Sequence, residues 1–200
     1  NCIDVQVVGH GDDGFDDFSA TLEDDEGAVY LFSYPDTSFA TSPTLEAVIG
    51  VGYNQANTGR AKDRDMIAIV EFGDLFGSSV SLDGGNLIIG SISDDGASNV
   101  SPDSGAAYLF TSSNIPSVFT DLSLVGTIGV GYSGNLQDLD LAGIIENGDA
   151  FGSVSLDGKS LAVGAFSGDG FNNSLTDSGE VYLFNFTDFA LSNPTLSSTI

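Results

Sequence analysis

The sequence predicts an all-β fold made of repeated four-stranded antiparallel sheets, for three reasons. The chain repeats itself, since Gly73–Gly84 returns almost unchanged as Gly148–Gly158. Tyr-Leu-Phe occurs three times, starting at Tyr30, Tyr108 and Tyr182, with spacings of 78 and 74 residues. The apolar runs are short, rich in Val, Ile, Leu and aromatic residues, and bounded by Gly, Asp, Asn and Ser, which is typical of strands and turns.

Each repeat contains four such runs, and each run is predicted to form one strand. In the middle repeat they are Ser78–Leu82, Leu87–Ser91, Ala106–Phe110 and Leu122–Ile128, and in the last repeat Ser153–Leu156, Leu161–Ala165, Glu180–Phe184 and Leu196–Ile200. The first repeat shows only the last three, Val5–Gly9, Ala28–Phe32 and Leu45–Gly50, so eleven strands are expected. Asp-Gly between the first two runs predicts a tight hairpin, because glycine adopts the positive φ of such turns.

Four-stranded units repeated along a chain are typical of β-propeller blades, with a β-solenoid as the main alternative. We expect about three blades, the first without its inner strand, organised as residues 1–50, 51–128 and 129–200. A closed propeller normally has roughly four to eight blades, so other copies or further chain would have to complete this one. The long connectors between repeats are expected to carry an added strand or a short helix, with Met66–Val70 and Leu139–Ile145 as candidates.

The composition favours cations as ligands. The chain has 29 Asp and Glu residues against 4 Lys and Arg residues, a formal net charge of -25. Nucleic acid and anionic membranes are excluded as partners, because such binding depends on Lys and Arg. No run of about 18 apolar residues predicts a membrane span, and we expect any export signal to lie outside this chain. The alternative to specific cation binding is a solvated acidic surface suited to a salty or extracellular medium.

The Phe-Gly strands resemble the FG-GAP repeats of integrin-α-type β-propellers, most closely those of very long secreted bacterial surface proteins. The matching pattern is Phe-Gly-x-(Ser)-Val-Ser at Phe76 and Phe151, then Leu-x-Val/Ile-Gly, an Asp-Gly loop, and Asp-Ser-Gly shortly before Tyr-Leu-Phe. The resemblance implies seven-bladed propellers, an extracellular location, and adhesion or matrix assembly rather than catalysis. The chain departs from the family at the Gly-Ala-Pro triplet, which reads Gly-Ser-Ile at Gly90 and Gly-Ala-Phe at Gly164.

An acidic loop follows the second strand of each repeat and is predicted to bind Ca²⁺. Calcium takes about six to eight hard oxygens from Asp, Asn, Ser and backbone carbonyls on loops bent by glycine. The resemblance implies calcium at the equivalent loop of integrin-type propellers, although one alternating ligand is missing here in the second and third copies. The alternative is that these loops are simply good turns. The predicted ligands are Asp12, Asp13, Asp16 and Asp17 in the first loop, Asp94, Asp95, Asn99 and Asp103 in the second, and Asp169, Asn172, Asn173 and Asp177 in the third.

No catalytic site is predicted. His10 is the only histidine and Cys2 the only cysteine, so transition-metal sites built on His or Cys clusters are excluded. We expect an extracellular structural or adhesive repeat protein that assembles with itself into a surface layer, sheath or filament, stabilised by Ca²⁺. The alternative function is a Ca²⁺-dependent adhesin or lectin-like module that contacts polysaccharide or a host surface protein.

The stretch Arg60–Arg64 is basic. The equivalent stretch of the next connector, Leu136–Asp140, is acidic, so the two have opposite charge. Opposite charges at equivalent points of neighbouring units suggest head-to-tail contact between copies. A plain surface loop is the alternative.

Overall fold

The computed structural model describes residues 2–8, 26–34, 42–112 and 121–200, the first of these ranges by its backbone alone. These residues form three β-sheets. The first sheet contains β1 (Cys2–Val8), β2 (Ala28–Tyr34), β3 (Thr44–Gly50) and β4 (Arg64–Asp65). The second contains β5 (Phe76–Asp83), β6 (Asn86–Ser91), β7 (Ala106–Thr111), β8 (Ser123–Gly129) and β9 (Leu139–Asp140). The third contains β10 (Phe151–Asp157), β11 (Ser160–Ala165), β12 (Glu180–Asn185) and β13 (Thr195–Thr199). The helical elements of the described residues are α1 (Gln55–Thr58) and a 3₁₀ turn (Phe171–Asn173).

The all-β prediction is confirmed, and each of the eleven predicted strands coincides with an observed strand. Strands follow sequence order within each sheet and pair antiparallel, except for β4 and β9. These two-residue strands run parallel to β3 and β8 and join the preceding sheet, although they lie beyond residues 50 and 128. The repeat boundaries placed there stay a prediction.

Each connector carries an added short strand, as expected, β4 in the first and β9 in the second, and the first also carries α1. The candidate Leu139–Ile145 contains β9 and a further isolated bridge between Ala142 and Ile145. The candidate Met66–Val70 is a turn and not a strand, because the Val70 N–H donates to the Met66 carbonyl at 2.9 Å. Met66 and Val70 at its two ends are buried, whereas Ile67 and Ile69 between them are exposed.

The hairpin prediction is confirmed in the second and third sheets. Asp83 lies opposite Asn86, and Asp157 lies opposite Ser160, so each turn has two residues. The first turn residue has a positive φ in both, 57° at Gly84 and 59° at Gly158. This conformation favours glycine and explains why Asp-Gly ends each Phe-Gly strand.

The second sheet is covered on both faces. Tyr108 and Phe110 of β7 belong to the apolar cluster shared with the first sheet, and Ala107 and Leu109 to the cluster shared with the third. Every residue of β6 is buried. Strands covered on both faces carry apolar residues at consecutive positions, which accounts for the unbroken apolar runs of the middle repeat.

Neighbouring sheets approach through backbone atoms at glycine positions. The Phe76 N–H donates to the Glu26 carbonyl at 2.9 Å, and the Phe151 N–H donates to the Ser104 carbonyl at 3.0 Å. A Cβ on the following Gly27 or Gly105 would lie 2.0 Å from the carbonyl oxygen of the same phenylalanine. The tightest contacts between sheets therefore fall on glycines of the preceding sheet and not on the glycine of Phe-Gly, where an added Cβ would have no neighbour closer than 3.0 Å.

The Phe-Gly strands β5 and β10 lie beside each other and are joined by side chains. Backbone N–H groups of Val154 and Leu156 donate to the hydroxyls of Ser79 and Ser81 at 3.1 and 2.9 Å. The Gly158 N–H donates to the carboxylate of Asp83 at 2.6 Å. Alternate residues of β5 therefore supply acceptors to the backbone of the next Phe-Gly strand.

Candidate functional site

In the second and third repeats, an aspartate at the equivalent position closes the acidic loop through a hydrogen bond. Oδ1 of Asp95 accepts the Asp103 N–H at 2.8 Å, and Oδ1 of Asp169 accepts the Asp177 N–H at 2.9 Å. Asp103 and Asp177 both have positive φ, 52° and 53°. The four predicted ligands of the first loop, Asp12 to Asp17, lie outside the described residues.

The asparagines of these loops bind the connector that precedes each Phe-Gly strand. The side-chain amide of Asn99 donates to Glu71, and that of Asn173 donates to Glu146. Both asparagines have positive φ, near 53° and 52°. Asn172 is exposed and has a φ of 57°. Glu71 and Glu146 are therefore part of the loop structure, and their equivalent places in the repeat were the signal that sequence reasoning missed.

Asp94 lies apart from the other predicted ligands, buried beneath two tyrosines. The hydroxyls of Tyr108 and Tyr132 both donate to its carboxylate, the second at 3.0 Å, and the Gly96 N–H donates to Oδ1 at 2.8 Å. Burial raises the pKa of Asp94 above its usual range, although these hydrogen bonds oppose the shift. Burial also raises the pKa of Tyr108 well above 10, so the hydroxyl stays a donor.

In the third repeat, a carboxylate from a different sequence position takes the place of the Asp94 carboxylate. Gly168 stands where Asp94 stands in the second repeat, and Glu180 stands where Ala106 does. The Tyr182 hydroxyl donates to Glu180. A Cβ on Gly168 would lie 3.0 Å from Oε2 of Glu180, so the glutamate fills the space that an aspartate side chain would need.

A second carboxyl group, Asp74, lies at the base of a cavity beside Asp94. Its Oδ2 accepts the Glu71 N–H at 2.8 Å. Burial raises the pKa of Asp74 to about 7, with a contribution from the nearby charges of Asp94 and Asp95. The cavity has a volume of about 290 Å³ and is also lined by Tyr132. The equivalent Asp149 accepts the Glu146 N–H at 2.8 Å, and burial raises the pKa of this carboxyl too.

The carboxylates of these loops are the right ligand type for calcium but do not converge. Within the described ranges, no three Asp, Glu, His or Cys side chains are placed to hold a metal ion. The oxygens of Asp94, Asp95 and Asp169 accept hydrogen bonds from the chain itself. A calcium ion would therefore depend on Asn and backbone oxygens as well, and calcium binding at these loops stays a prediction.

Each connector contains an Asp-x-Asp segment that fixes the short parallel strand. Asp63 accepts the Val48 N–H at 2.8 Å, and the equivalent Asp138 accepts the Thr127 N–H at 2.9 Å. Two residues on, Asp65 and Asp140 each accept two backbone N–H groups, including those of Gly52 and Gly131 at 2.9 and 2.7 Å. These acids are structural, and the repeated Asp-x-Asp was a signal that sequence analysis overlooked.

The basic stretch is engaged within the chain. Arg60 pairs with Asp63 at 3.0 Å, Lys62 pairs with Glu46, and Nε of Arg64 donates to the Leu122 carbonyl at 2.6 Å. Arg64 thereby ties the first sheet to the second. The three basic side chains therefore have partners within the chain, and head-to-tail contact between copies through this stretch stays a prediction.

Comparisons with known proteins locate two repeats. No curated protein matches the chain. None of the helices in the described ranges is long and apolar enough to cross a membrane. Residues 70–110 and 145–184 each match the model of the FG-GAP repeat. Each match runs from the Phe-Gly strand, through the acidic loop, to the Tyr-Leu-Phe strand. The chain is therefore a β-propeller-like module that carries FG-GAP repeats, one on the second sheet and one on the third.

Proposed function

We propose that this protein is an extracellular structural module that assembles with other polypeptides of its kind into a layer, sheath or filament. The FG-GAP match and the all-β repeat support a binding or building role over catalysis. The observation that carries the proposal is the outer face of the third sheet, which exposes apolar side chains whose equivalents in the second sheet are buried.

The contrast between the two sheets is large. Ala107 of the second sheet is fully buried, and the equivalent Val181 of the third is 38% exposed. Phe166, at the place of Ile92, is 60% exposed. Contiguous apolar patches on a soluble protein mark interaction sites. We therefore assign this face to protein contacts.

The charge supports an extracellular setting. A net charge of -25 on 200 residues keeps separate molecules apart at low salt, because like charges repel. Screening lengths fall to about 8 Å at physiological ionic strength. Assembly through an apolar face is therefore expected to strengthen as the salt concentration rises.

Calcium is the proposed ligand of the acidic loops. Asp95, Asn99 and Asp103 lie on one loop bent at Gly96, and they offer the hard oxygens that calcium selects. Such an ion would add stability to a loop that already closes by its own hydrogen bonds.

Sedimentation velocity over a range of protein concentrations tests the assembly. We expect the sedimentation coefficient to rise with concentration and with salt. Phe166→Asp should abolish the rise, because it places a charge on the proposed contact face. Phe72→Asp is the matched control, since Phe72 is 62% exposed on a connector elsewhere. A stable folded monomer at all concentrations would refute the proposal.

A glycan-binding module is the second candidate. A cavity of about 490 Å³ beside the β5–β6 turn is lined by Asp83, Asn86, Thr111 and Phe189. Phe189 is 70% exposed, and sugars bind where an aromatic ring lies beside hydroxyl, amide and carboxylate groups. A glycan array probed with the protein and with Phe189→Ala tests this candidate. Blank arrays for the parent protein would eliminate it.

A further inference from the structure

The cavity beside Asp74 lies between the first connector and the acidic loop of the second repeat. Its volume is about 290 Å³, and it is lined by Glu71 and Asp74 of the connector, by Asp94 and Gly96 of the loop, and by Tyr132. We propose that this cavity binds a primary ammonium group carried on an aliphatic chain. The site lies within one molecule, so it does not depend on the proposed assembly.

A carboxylate oxygen at the base of the cavity has no hydrogen-bond partner. Asp74 is only 5% exposed. Its Oδ2 accepts the Glu71 N–H at 2.8 Å, whereas its Oδ1 accepts no hydrogen bond from the described part of the chain. A buried ionised carboxylate is unfavourable unless a cation or further donors compensate its charge. A cation that carries N–H donors supplies both at this oxygen.

The chain does not provide this cation from its own basic side chains. It has four Lys and Arg residues, and none of them lines the cavity. Arg60, Lys62 and Arg64 are engaged in the contacts described above. Nζ of Lys159 lies 5.9 Å from the centre of the Phe189 ring. Compensation of the Asp74 charge by a positive group is therefore left to a ligand.

Negative charge lines the cavity from its mouth to its base. Glu71 is exposed at the mouth, where its carboxylate accepts the side-chain amide of Asn99. Asp94 is 2% exposed, and its oxygens accept the Tyr132 hydroxyl and the Gly96 N–H. Asp94 therefore adds negative charge without needing a ligand of its own. A cleft lined by charges of one sign concentrates ions of the opposite sign.

The oxygens of the cavity suit an ammonium ion better than a metal ion or a guanidinium group. Calcium takes about six to eight oxygens, and within the described ranges no three Asp, Glu, His or Cys side chains are placed around one point. A guanidinium group is a planar fork that pairs with both oxygens of a carboxylate, and Oδ2 of Asp74 is already occupied. An ammonium group is a compact charge that can donate to a single free oxygen.

The wall of the cavity favours an aliphatic chain on the ammonium group. Ala68, Ile69 and Ala97 also line the cavity. Methylene groups that cover such side chains are removed from water, as lysine stems are on apolar surfaces. At roughly 30 Å³ for each heavy atom, as for water in the liquid, the butylammonium ion fits within about 290 Å³. A lysine side chain of another polypeptide and a free alkylamine share this chemistry.

Nuclear magnetic resonance titration of the ¹⁵N-labelled protein with butylammonium chloride tests the proposal. At about pH 8 the amine stays protonated, and Asp74, with a pKa of about 7, is ionised. The N–H groups of Glu71 and Gly96 donate to Asp74 and Asp94, so their signals report on the cavity. We expect both signals to shift saturably. Tetramethylammonium has the same charge but no N–H donor, and it should bind at least about tenfold more weakly.

Three variants identify the carboxylate that binds the ligand. Asp74→Asn keeps an oxygen for the Glu71 N–H and removes the charge, so it should weaken binding at least about tenfold. Glu71→Gln changes an exposed side chain at the mouth and should weaken binding about threefold. Asp157→Asn is the matched control, because it makes the same change at an exposed position of β10, and binding should be unchanged. Circular dichroism melting confirms that each variant is folded, and Glu71→Gln keeps the test open if Asp74→Asn does not fold.

The two sources of the ammonium group are distinguished by a second ligand, the tripeptide Gly-Lys-Gly with both ends blocked. Tighter binding of this peptide than of butylammonium assigns the site to lysine side chains of a partner polypeptide, and the reverse order assigns it to a free amine. Both results support the proposal. Absence of saturable shifts overturns it, as does equal affinity of the parent and Asp74→Asn, or equal affinity for butylammonium and tetramethylammonium.

Discussion

Neutralising Asp74 should remove much of the pH dependence of stability. Unfolded Asp74 loses its proton near the ordinary pKa of 3.8, whereas burial raises the native pKa to about 7. Between these values the native state binds more protons than the unfolded state. The contribution of Asp74 to stability is therefore fully present below about pH 4 and is lost as the pH rises through 7, opposite to the contribution of a paired carboxylate.

The size of the effect follows from the shift. About three pKa units at about 1.4 kcal/mol each give at most about 4 kcal/mol between pH 4 and pH 8. The adjoining cavity of about 290 Å³ is large enough to admit water to the carboxylate, and solvent screening reduces the effect, so we expect about half of this, roughly 2 kcal/mol. Asp74→Asn keeps an oxygen for the Glu71 N–H and cannot ionise, so this part should vanish.

Urea unfolding followed by circular dichroism at pH 5.0 and 7.5 measures the difference. Asp157→Asn is the control, because it removes an exposed charge and reports the general repulsion of an acidic chain. The parent and the control should lose stability toward pH 7.5, and Asp74→Asn should lose about 1 kcal/mol less, because this interval covers only part of the range from pH 4 to pH 8. If Asp74→Asn and Asp157→Asn show the same pH dependence, the reasoning is wrong.

Three further predictions concern packing and calcium. Gly105→Ala should lower the free energy of unfolding by about 3 kcal/mol or more in urea titrations, since its Cβ would lie 2.0 Å from a carbonyl oxygen of the third sheet. Gly143→Ala, with similar φ and open space, should cost only about 1 kcal/mol, and equal losses would contradict the steric account. Gly168→Asp alone should destabilise by about 2 kcal/mol, and adding Glu180→Ala should restore the loss; additivity in the double-mutant cycle would refute the shared carboxylate space. Asp95→Asn keeps the acceptor for the loop amide but removes the charge, so it should melt like the parent without calcium and lose any calcium-induced rise in Tm. Identical calcium titrations would remove Asp95 from the proposed ligands.

The strands could be predicted from the sequence because the same pattern of apolar runs occurs in each repeat. The apolar runs Leu87–Ser91 and Leu161–Ala165 both begin shortly after an Asp-Gly pair and have the same length. The short strands β4 and β9 were not predictable in detail, because two residues carry no periodicity. The backbone N–H groups of Val48 and Thr127 donate to the carboxylates of Asp63 and Asp138, and these hydrogen bonds hold the short strands in place.

The candidate site was predicted only in part. Asp95 and Asp169 were recognised as loop residues, but their hydrogen bonds to backbone amides depend on loop geometry. Glu180 was missed because a comparison position by position pairs it with Ala106, although it supplies the carboxylate that Asp94 supplies in the other repeat. The charge of Lys62 also did not indicate its partner, because Glu46 lies 16 positions away in sequence and close in space.

The glycine contacts between sheets have a consequence for how such arrays are built. Because main-chain atoms touch at Gly105 and Gly90, the distance between neighbouring sheets at these points is set by van der Waals contact of backbone atoms and cannot be adjusted through the size of a side chain. Insertions such as the longer first connector can then occur in the loops, while the distance from one sheet to the next stays constant. An array of this kind keeps one repeat distance over any number of units and leaves its loops free to diverge.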